Sequence, residues 1–180
     1  MPRERTQLRY QLYRSKARHL ARLTTAQMYK ELKQIAATEI DLTNVRFEAI
    51  NADALAAYSF WGGDSFFSWD EVVRWKAKEP MSFDLSIWFG FELCGLCFAN
   101  PNQSRLRVRI VRLEGKPDKN HPLKNRIATL ALIAVSHYAR IIGSRRIEIQ
   151  EPIAGAIPLY REIGFEFDAE RRLVMVVESD

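Results

Sequence analysis

The sequence predicts a mixed α/β fold in which helices surround a sheet interrupted by a β-bulge. Three stretches carry this reading. Residues 105–114 alternate with period two, with Leu106, Val108 and Ile110 on one face and Arg105, Arg107 and Arg109 on the other. The phase then flips, because Val111 and Leu113 take the parity that carried the arginines. A one-residue slip is what a bulge produces; it leaves backbone groups unpaired and splays the strand from its neighbour. The second stretch, residues 127–142, is a long helix with apolar residues on nearly every side, so burial is expected, and Gly143 is its stop. The third, residues 83–91 and 95–99, reads as a hairpin rich in Ile, Trp, Phe and Leu.

Taken in order, residues 4–36 read as two helices broken near Leu23-Thr24-Thr25, with Thr24 or Thr25 capping the second. Leu8, Leu12 and Tyr13 suggest an apolar stripe, continued by Met28, Leu32 and Ile35, and six basic residues surround its first part. Residues 45–50 read as the first core strand and 51–60 as a helix capped by Asn51 or Asp53. Trp61-Gly62-Gly63-Asp64-Ser65-Phe66-Phe67 is then a glycine turn among aromatics. Ser68 is placed to cap a further helix that ends before Pro80. After the alternating strand, the loop 115–126 is basic. The helix-start amides behind it, with Lys124 and Arg126, make an anion seat. Residues 146–150 form the next strand, expected to run parallel to 105–114 and to diverge from it near residues 111–114. A short helix around Tyr160 ends at Gly164, and strands at 165–168 and 173–177 close the chain.

At 180 residues with 47% hydrophobic content, the chain suits one core, or one core with an extension. No apolar run is long enough to span a membrane. Glu4 and the scarcity of Ser argue against a transit peptide, and cysteines kept as free thiols suit a reducing cytoplasm. Cys94 and Cys97 form a lone CxxC on a strand, where positions i and i+3 point to opposite faces. They read as buried free thiols rather than half of a zinc site. His137, inside the long helix, reads as a hydrogen-bonded core or boundary residue rather than a metal ligand. Residues 1–40 hold nine Lys or Arg against three Asp or Glu, so the whole basic excess of +5 resides there. Three readings of this segment stand side by side. It is a solvated helix docked on the domain, an arm for nucleic acid or another acidic partner, or a membrane-surface helix.

The bulged strand, basic loop and helix resemble the acetyl-CoA core of the GNAT N-acetyltransferase superfamily. The stretch Ala156-Ile157-Pro158-Leu159-Tyr160-Arg161-Glu162-Ile163-Gly164-Phe165 extends the likeness, since it carries a tyrosine four residues before a Gly-Phe pair. The likeness covers roughly residues 45–178. In the family's loop pattern, an Arg or Gln precedes Gly-x-Gly or Gly-x-Ala. Here Leu123 stands at the Arg or Gln position, Arg126 at the first glycine and Ala128 at the second small residue. The resemblance implies a mixed, mostly antiparallel central sheet splayed at the bulge, with helices on both faces. It divides the chain into a basic helical extension, 1–44, and an acyltransferase domain, 45–180.

The resemblance also implies an activity, acetyl transfer from acetyl-CoA to a primary amine, with no metal. It assigns the cofactor side to Val111, Leu113, Leu123, Lys124, Asn125, Arg126, Ile127 and Ala128. A backbone N–H at or near Leu113 would meet the thioester carbonyl, and Tyr160 would be the general acid. Glu114, at the strand end, is a candidate base or else an exposed carboxylate. Trp61, Phe66 and Phe67 either line the acceptor pocket or belong to the core of two small helices. Two further classes stand beside the enzyme: a catalytically silent GNAT-like binding or regulatory protein, and an RNA-associated acetyltransferase using the basic arm. The acceptor is a small-molecule or protein amine, and an oligomer is compatible with the sequence.

Overall fold

The computed structural model describes residues 2–35, 40–118 and 120–178, with side chains from residue 5 onward. The helices are α1 (Pro2–Ile35), α2 (Ala52–Tyr58), α3 (Val72–Lys78), α4 (Ile127–Ile142) and α5 (Ile157–Ile163). The strands are β1 (Val45–Glu48), β2 (Phe83–Phe89), β3 (Glu92–Pro101), β4 (Arg107–Gly115), β5 (Arg146–Ile149), β6 (Glu166–Phe167) and β7 (Leu173–Val176). Among the described residues these strands form one sheet of seven, ordered β1-β2-β3-β4-β5-β7-β6. All neighbours are antiparallel except β4 and β5. Helices cover both faces. Residues of α1, α4 and α5 pack on one face with Leu85, Ile110 and Ile147; α2, α3 and the intervening aromatics pack on the other with Leu96 and Phe98.

The phase flip corresponds to a real bulge. Arg112 pairs with Phe98 and Ile110 with Ala99, so Val111 is the extra residue on β4. β4 pairs with β5 only over Arg107–Ile110, and the last link is the Gln150 N–H donating to the Ile110 carbonyl at 3.0 Å. From Val111 onward β4 follows β3 alone, and a gap opens where β5 would have continued.

The N-terminal segment differs from the expectation. It is one unbroken helix, and Ala36, the last residue of the expected helical stretch, lies outside the described residues. Thr24 and Thr25 sit mid-helix rather than at a cap. The Thr24 hydroxyl lies 2.8 Å from His137 Nε2 on α4, and Thr25 is buried. The buried stripe is Tyr10, Ala17, Ala21 and Thr25, whereas Leu8, Leu12, Leu32 and Ile35 are exposed. Small side chains let α1 lie close against α4, and tertiary packing overrides the threonines' modest helix propensity. Arg14 and Arg18 turn inward. Arg14 donates to the Pro80 and Ser82 carbonyls, and Arg18 donates to the Asp84 carbonyl and pairs with its carboxylate at 3.0 Å. Arg5, Arg9, Lys16 and Arg22 remain on the outward face.

The cysteines are free and buried, yet they share one core instead of facing opposite ways. Leu93 pairs with Trp88 and Gly95 with Ile87, so Cys94 is itself a bulged residue, and the extra position restores its parity with Cys97. Burial pushes the Cys94 thiol up to about 11 and the Cys97 thiol up to about 12.

Gly95 lies opposite Gly115 across β3 and β4, and Ile127 rests over both. A Cβ on Gly95 would stand 2.7 Å from Ile127 Cγ2. Ile127 is β-branched and buried at a helix start, so it has little room to yield. Gly95→Ala is therefore expected to cost about 1–3 kcal/mol, as overpacking does, read as a lower urea midpoint.

Candidate active site

The gap between β4 and β5 is a cleft of about 220 Å³. Val111 and Leu113 of β4, Ile149 of β5, Tyr160 of α5, and Phe66 and Phe67 of the aromatic turn form its walls. The structure thus brings together five sequence-predicted site residues from three separate parts of the chain. A larger depression, of about 560 Å³, lies at the other end of β5, between Arg140, Arg145 and Glu178. It lacks an aromatic wall and is remote from the bulge, so the chemistry points to the smaller cleft.

Strand alternation fixes which backbone groups face the gap. The Lys116 N–H donates to the Cys94 carbonyl on β3 at 2.8 Å. Arg112 and Glu114 share that direction, and the main-chain groups of Leu113 and Gly115 turn towards the side that β5 vacates. A backbone donor at Leu113 therefore opens onto the cleft. Across from it, the Tyr160 ring packs edge-on against Phe165, with centroids 5.9 Å apart. Burial, with a smaller contribution from nearby Cys97, pushes the phenol up to about 12. At neutral pH it is a proton donor.

α4 begins where β4 ends, because Ile127 is seated on Gly115. Its first-turn amides, at Ile127, Ala128 and Thr129, have no acceptors within the helix. The preceding loop is a run of turns closed by the Lys124 N–H to the His121 carbonyl and the Arg126 N–H to the Leu123 carbonyl. Asn125 holds φ at 66°, a left-handed conformation that Asn tolerates better than most residues. Lys124, Asn125 and Arg126 are exposed, so their side chains can reach an anion at the helix start. Leu123 is fully buried and serves as the loop's anchor in the core, which leaves only its backbone for ligand contact. His121, also buried, was not singled out from the sequence. Burial lowers its pKa, and its Nδ1 lacks a partner.

Two expected residues stand elsewhere. Trp61 is buried beneath the α2 face, and its indole N–H donates to the Leu93 carbonyl at 3.3 Å, so it is core rather than cleft wall. Glu114 is committed to the aromatic turn. Its Oε1 accepts from the Ser65 hydroxyl at 3.0 Å, the Phe67 N–H at 3.3 Å and the Trp69 indole at 2.9 Å, and its Oε2 accepts from the Phe66 N–H at 2.6 Å. A carboxylate has about four acceptor sites, so little capacity remains for a substrate proton. Glu114 positions Phe66 and Phe67. Among the described residues, no group of three or more His, Cys, Asp or Glu is arranged to hold a metal ion. No described helix is long and apolar enough to cross a membrane.

No protein-family model matches the chain, and no curated protein matches it in sequence. Solved structures do match. Ard1 from Thermoplasma volcanium aligns with a TM-score of 0.57 at 12% identity, over 76% of this chain and 99% of that one. The ribosomal-protein-S18-alanine N-acetyltransferase from Escherichia coli gives 0.53 at 11%, over 76% and 96%. A GNAT-family protein from Desulfovibrio desulfuricans gives 0.55 at 18%, over 74% and 99%. The fold is that of the GNAT superfamily. The mixed, mostly antiparallel sheet with helices on both faces is thus the architecture the motifs implied. In this fold the parting of β4 and β5 opens the Leu113 backbone towards Tyr160 of α5.

Proposed function

We propose that this protein is an acetyl-CoA-dependent N-acetyltransferase that moves an acetyl group directly to a primary amine. The observation that carries the reading is the β4–β5 cleft. The open Leu113 backbone is on one wall, Tyr160 on the other, and the start of α4 lies beside it. The fold comparison agrees with it, since proteins of this fold include N-acetyltransferases. The cleft fits a narrow, largely apolar arm. The first-turn amides of α4, Lys124 and Arg126 would hold phosphate groups at its mouth.

Acetyl-CoA supplies the acetyl group as an activated thioester. The protein's part is to position and to move protons. The Leu113 N–H is placed to hold a carbonyl oxygen on which charge builds. The acceptor amine forms its bond to the carbonyl carbon, the C–S bond breaks, and Tyr160 gives its proton to the departing sulfur. The amine's proton passes to water, which returns the phenol to its starting state.

Calorimetry with acetyl-CoA tests this. Full-length protein is expected to bind it. Lys124→Ala and Arg126→Ala should each weaken binding about ten- to a hundredfold, the equivalent of losing a charge-assisted contact of about 1.5–3 kcal/mol. Both effects should shrink at high salt, because the two side chains are exposed. A wild-type protein that binds no acetyl-CoA would replace the enzyme by the catalytically silent, GNAT-like binding protein.

A further inference from the structure

A second pocket, of about 250 Å³, opens on the other face of the bulge and shares Val111 and Gln150 with the cleft. It lies on the part of the sheet face that α2 and α3 leave open. Its composition is unusual for a surface hollow. Arg109, Arg112 and Lys78 converge on it, with Glu79 as the acid on its wall and the aromatics Trp75 and Phe98 behind.

Several arginines elsewhere in the fold are ion-paired. Arg18 is paired with Asp84, Arg107 with Glu148 at 3.4 Å, and Arg172 with Asp168. Glu148 is the residue in register with Arg109, yet the ion pair it makes is with Arg107. Among the described residues, neither Arg109 nor Arg112 has a carboxylate within ion-pair distance, and the buried Nε of Arg109, like that of its neighbour Arg107, has no hydrogen-bond partner. Such a donor is costly to leave unmade, and a native structure keeps it where something else completes it. Arg112 lies over two aromatic rings. Its guanidinium sits 4.0 Å from the Trp75 ring centroid and 5.8 Å from that of Phe67. That leaves its fork of N–H groups aimed in one plane, as oxyanion recognition needs. Phe67 also lines the cleft, so Arg112 reaches a ring that walls it.

Resting on the N-acetyltransferase reading, we infer that this pocket is the acceptor subsite and selects an amine that carries an oxyanion, with Arg109 and Arg112 as the recognising pair. The amine then reaches the cleft past Val111 while its carboxylate or phosphate is held on the β4 arginines. A pocket of this size, just under the range of about 300–1,000 Å³ for drug-sized ligands, suits a small molecule. A row of arginines along one strand is otherwise hard to reconcile with a polycationic acceptor, which it would repel.

Full-length protein with acetyl-CoA is assayed by thiol release against the α-amino acids that carry a primary amine, their α-amides, phosphoethanolamine, ethanolamine and spermidine. Binding of the same probes to the CoA-loaded protein is measured by calorimetry. The expected result is a preference in kcat/KM of at least tenfold for an amino acid over its amide, or for phosphoethanolamine over ethanolamine. These two arms separate carboxylate from phosphate. Arg109→Gln should bring that ratio close to one and weaken binding of the anionic probe at least tenfold, while acetyl-CoA affinity holds within twofold. Arg109→Lys should recover part of the preference, since it restores charge without the fork. Transfer to amides or spermidine as good as to the anionic amines overturns the inference and leaves the enzyme reading standing. So does acetyl-CoA binding with no anionic amine bound or acetylated. Absence of acetyl-CoA binding removes both.

Discussion

Replacing Asp84 by Ala is expected to destabilise the fold by about 3–5 kcal/mol in urea unfolding, the range for leaving buried charges without their partner. Asp84 lies within the apolar run of β2 and is 1% exposed. One carboxylate oxygen meets Arg18 of α1 at 3.0 Å; the other meets Lys76 of α3 at 3.1 Å and accepts from the Ile50 N–H at 2.8 Å. One side chain therefore ties α1, α3 and the segment leading into α2 to β2, one strand in from the sheet edge. Arg18→Ala should cost less than Asp84→Ala, since Lys76 and the Ile50 amide remain. Lys76→Ala should cost least, about 1 kcal/mol, because Lys76 is more than a third exposed and its pairing is screened by water. The pH dependence has a definite sign. Burial alone pushes the Asp84 carboxyl up, but Arg18, Lys76 and the Ile50 amide outweigh it and hold the carboxyl below its ordinary value. A carboxyl depressed in the folded state gives stability that is fully present above its unfolded pKa, roughly 3.9, and lost as pH falls through the folded value. Stability should thus stay level, as far as this group decides, from pH 8 to about pH 5 and fall below about pH 4. Asp84→Asn should be less stable at neutral pH and flatter in acid. An Asp84→Asn protein with the wild-type urea midpoint at pH 7 would remove the hub from the account.

The sequence carried the site further than it carried the core. Val111 and Leu113 betray the bulge because a period-two pattern cannot hide a one-residue slip, and Tyr160 stands out by its spacing to Gly164 and Phe165. The same bookkeeping failed at Cys94. Its bulge falls among residues that are apolar on both faces, so no alternation was there to break. The α1 interface was illegible for a related reason. It is built from Ala17, Ala21 and Thr25, whose small size is the point, while the more conspicuous leucines face outward. From its place at the strand end, Glu114 reads as a candidate base or as an exposed carboxylate, and the structure shows neither. Its four hydrogen bonds to residues 65–69 join segments some 45 positions apart in the chain, which no local pattern reveals. Arg109 and Arg112 belong in part to both cases. The alternation placed Arg109 on a face, but only the packing shows that α3 stops short of covering it and that Glu148 serves Arg107 instead.

Tyr160→Phe is expected to lower turnover by about 10²–10⁴-fold, the usual contribution of a positioned general acid, with acetyl-CoA affinity near wild type. The phenol is well suited to the role. With its pKa pushed up to about 12 by burial, it remains protonated through the whole range in which the protein can be assayed. It can therefore give a proton to a departing sulfur, whereas it could not serve as the base. Two further expectations separate chemistry from packing. The wild-type rate should show no alkaline fall from this group below about pH 11, since the phenol is still intact there. The Phe ring should keep the edge-on contact with Phe165, so the urea midpoint should move by less than the equivalent of about 1 kcal/mol. A loss confined to kcat, with KM for the acceptor and acetyl-CoA affinity held, places the hydroxyl at the bond-breaking step. Turnover within threefold of wild type would instead make Tyr160 a packed ring of α5. Protonation of the leaving group would then fall to water entering between Leu113 and Gln150, where the two strands part.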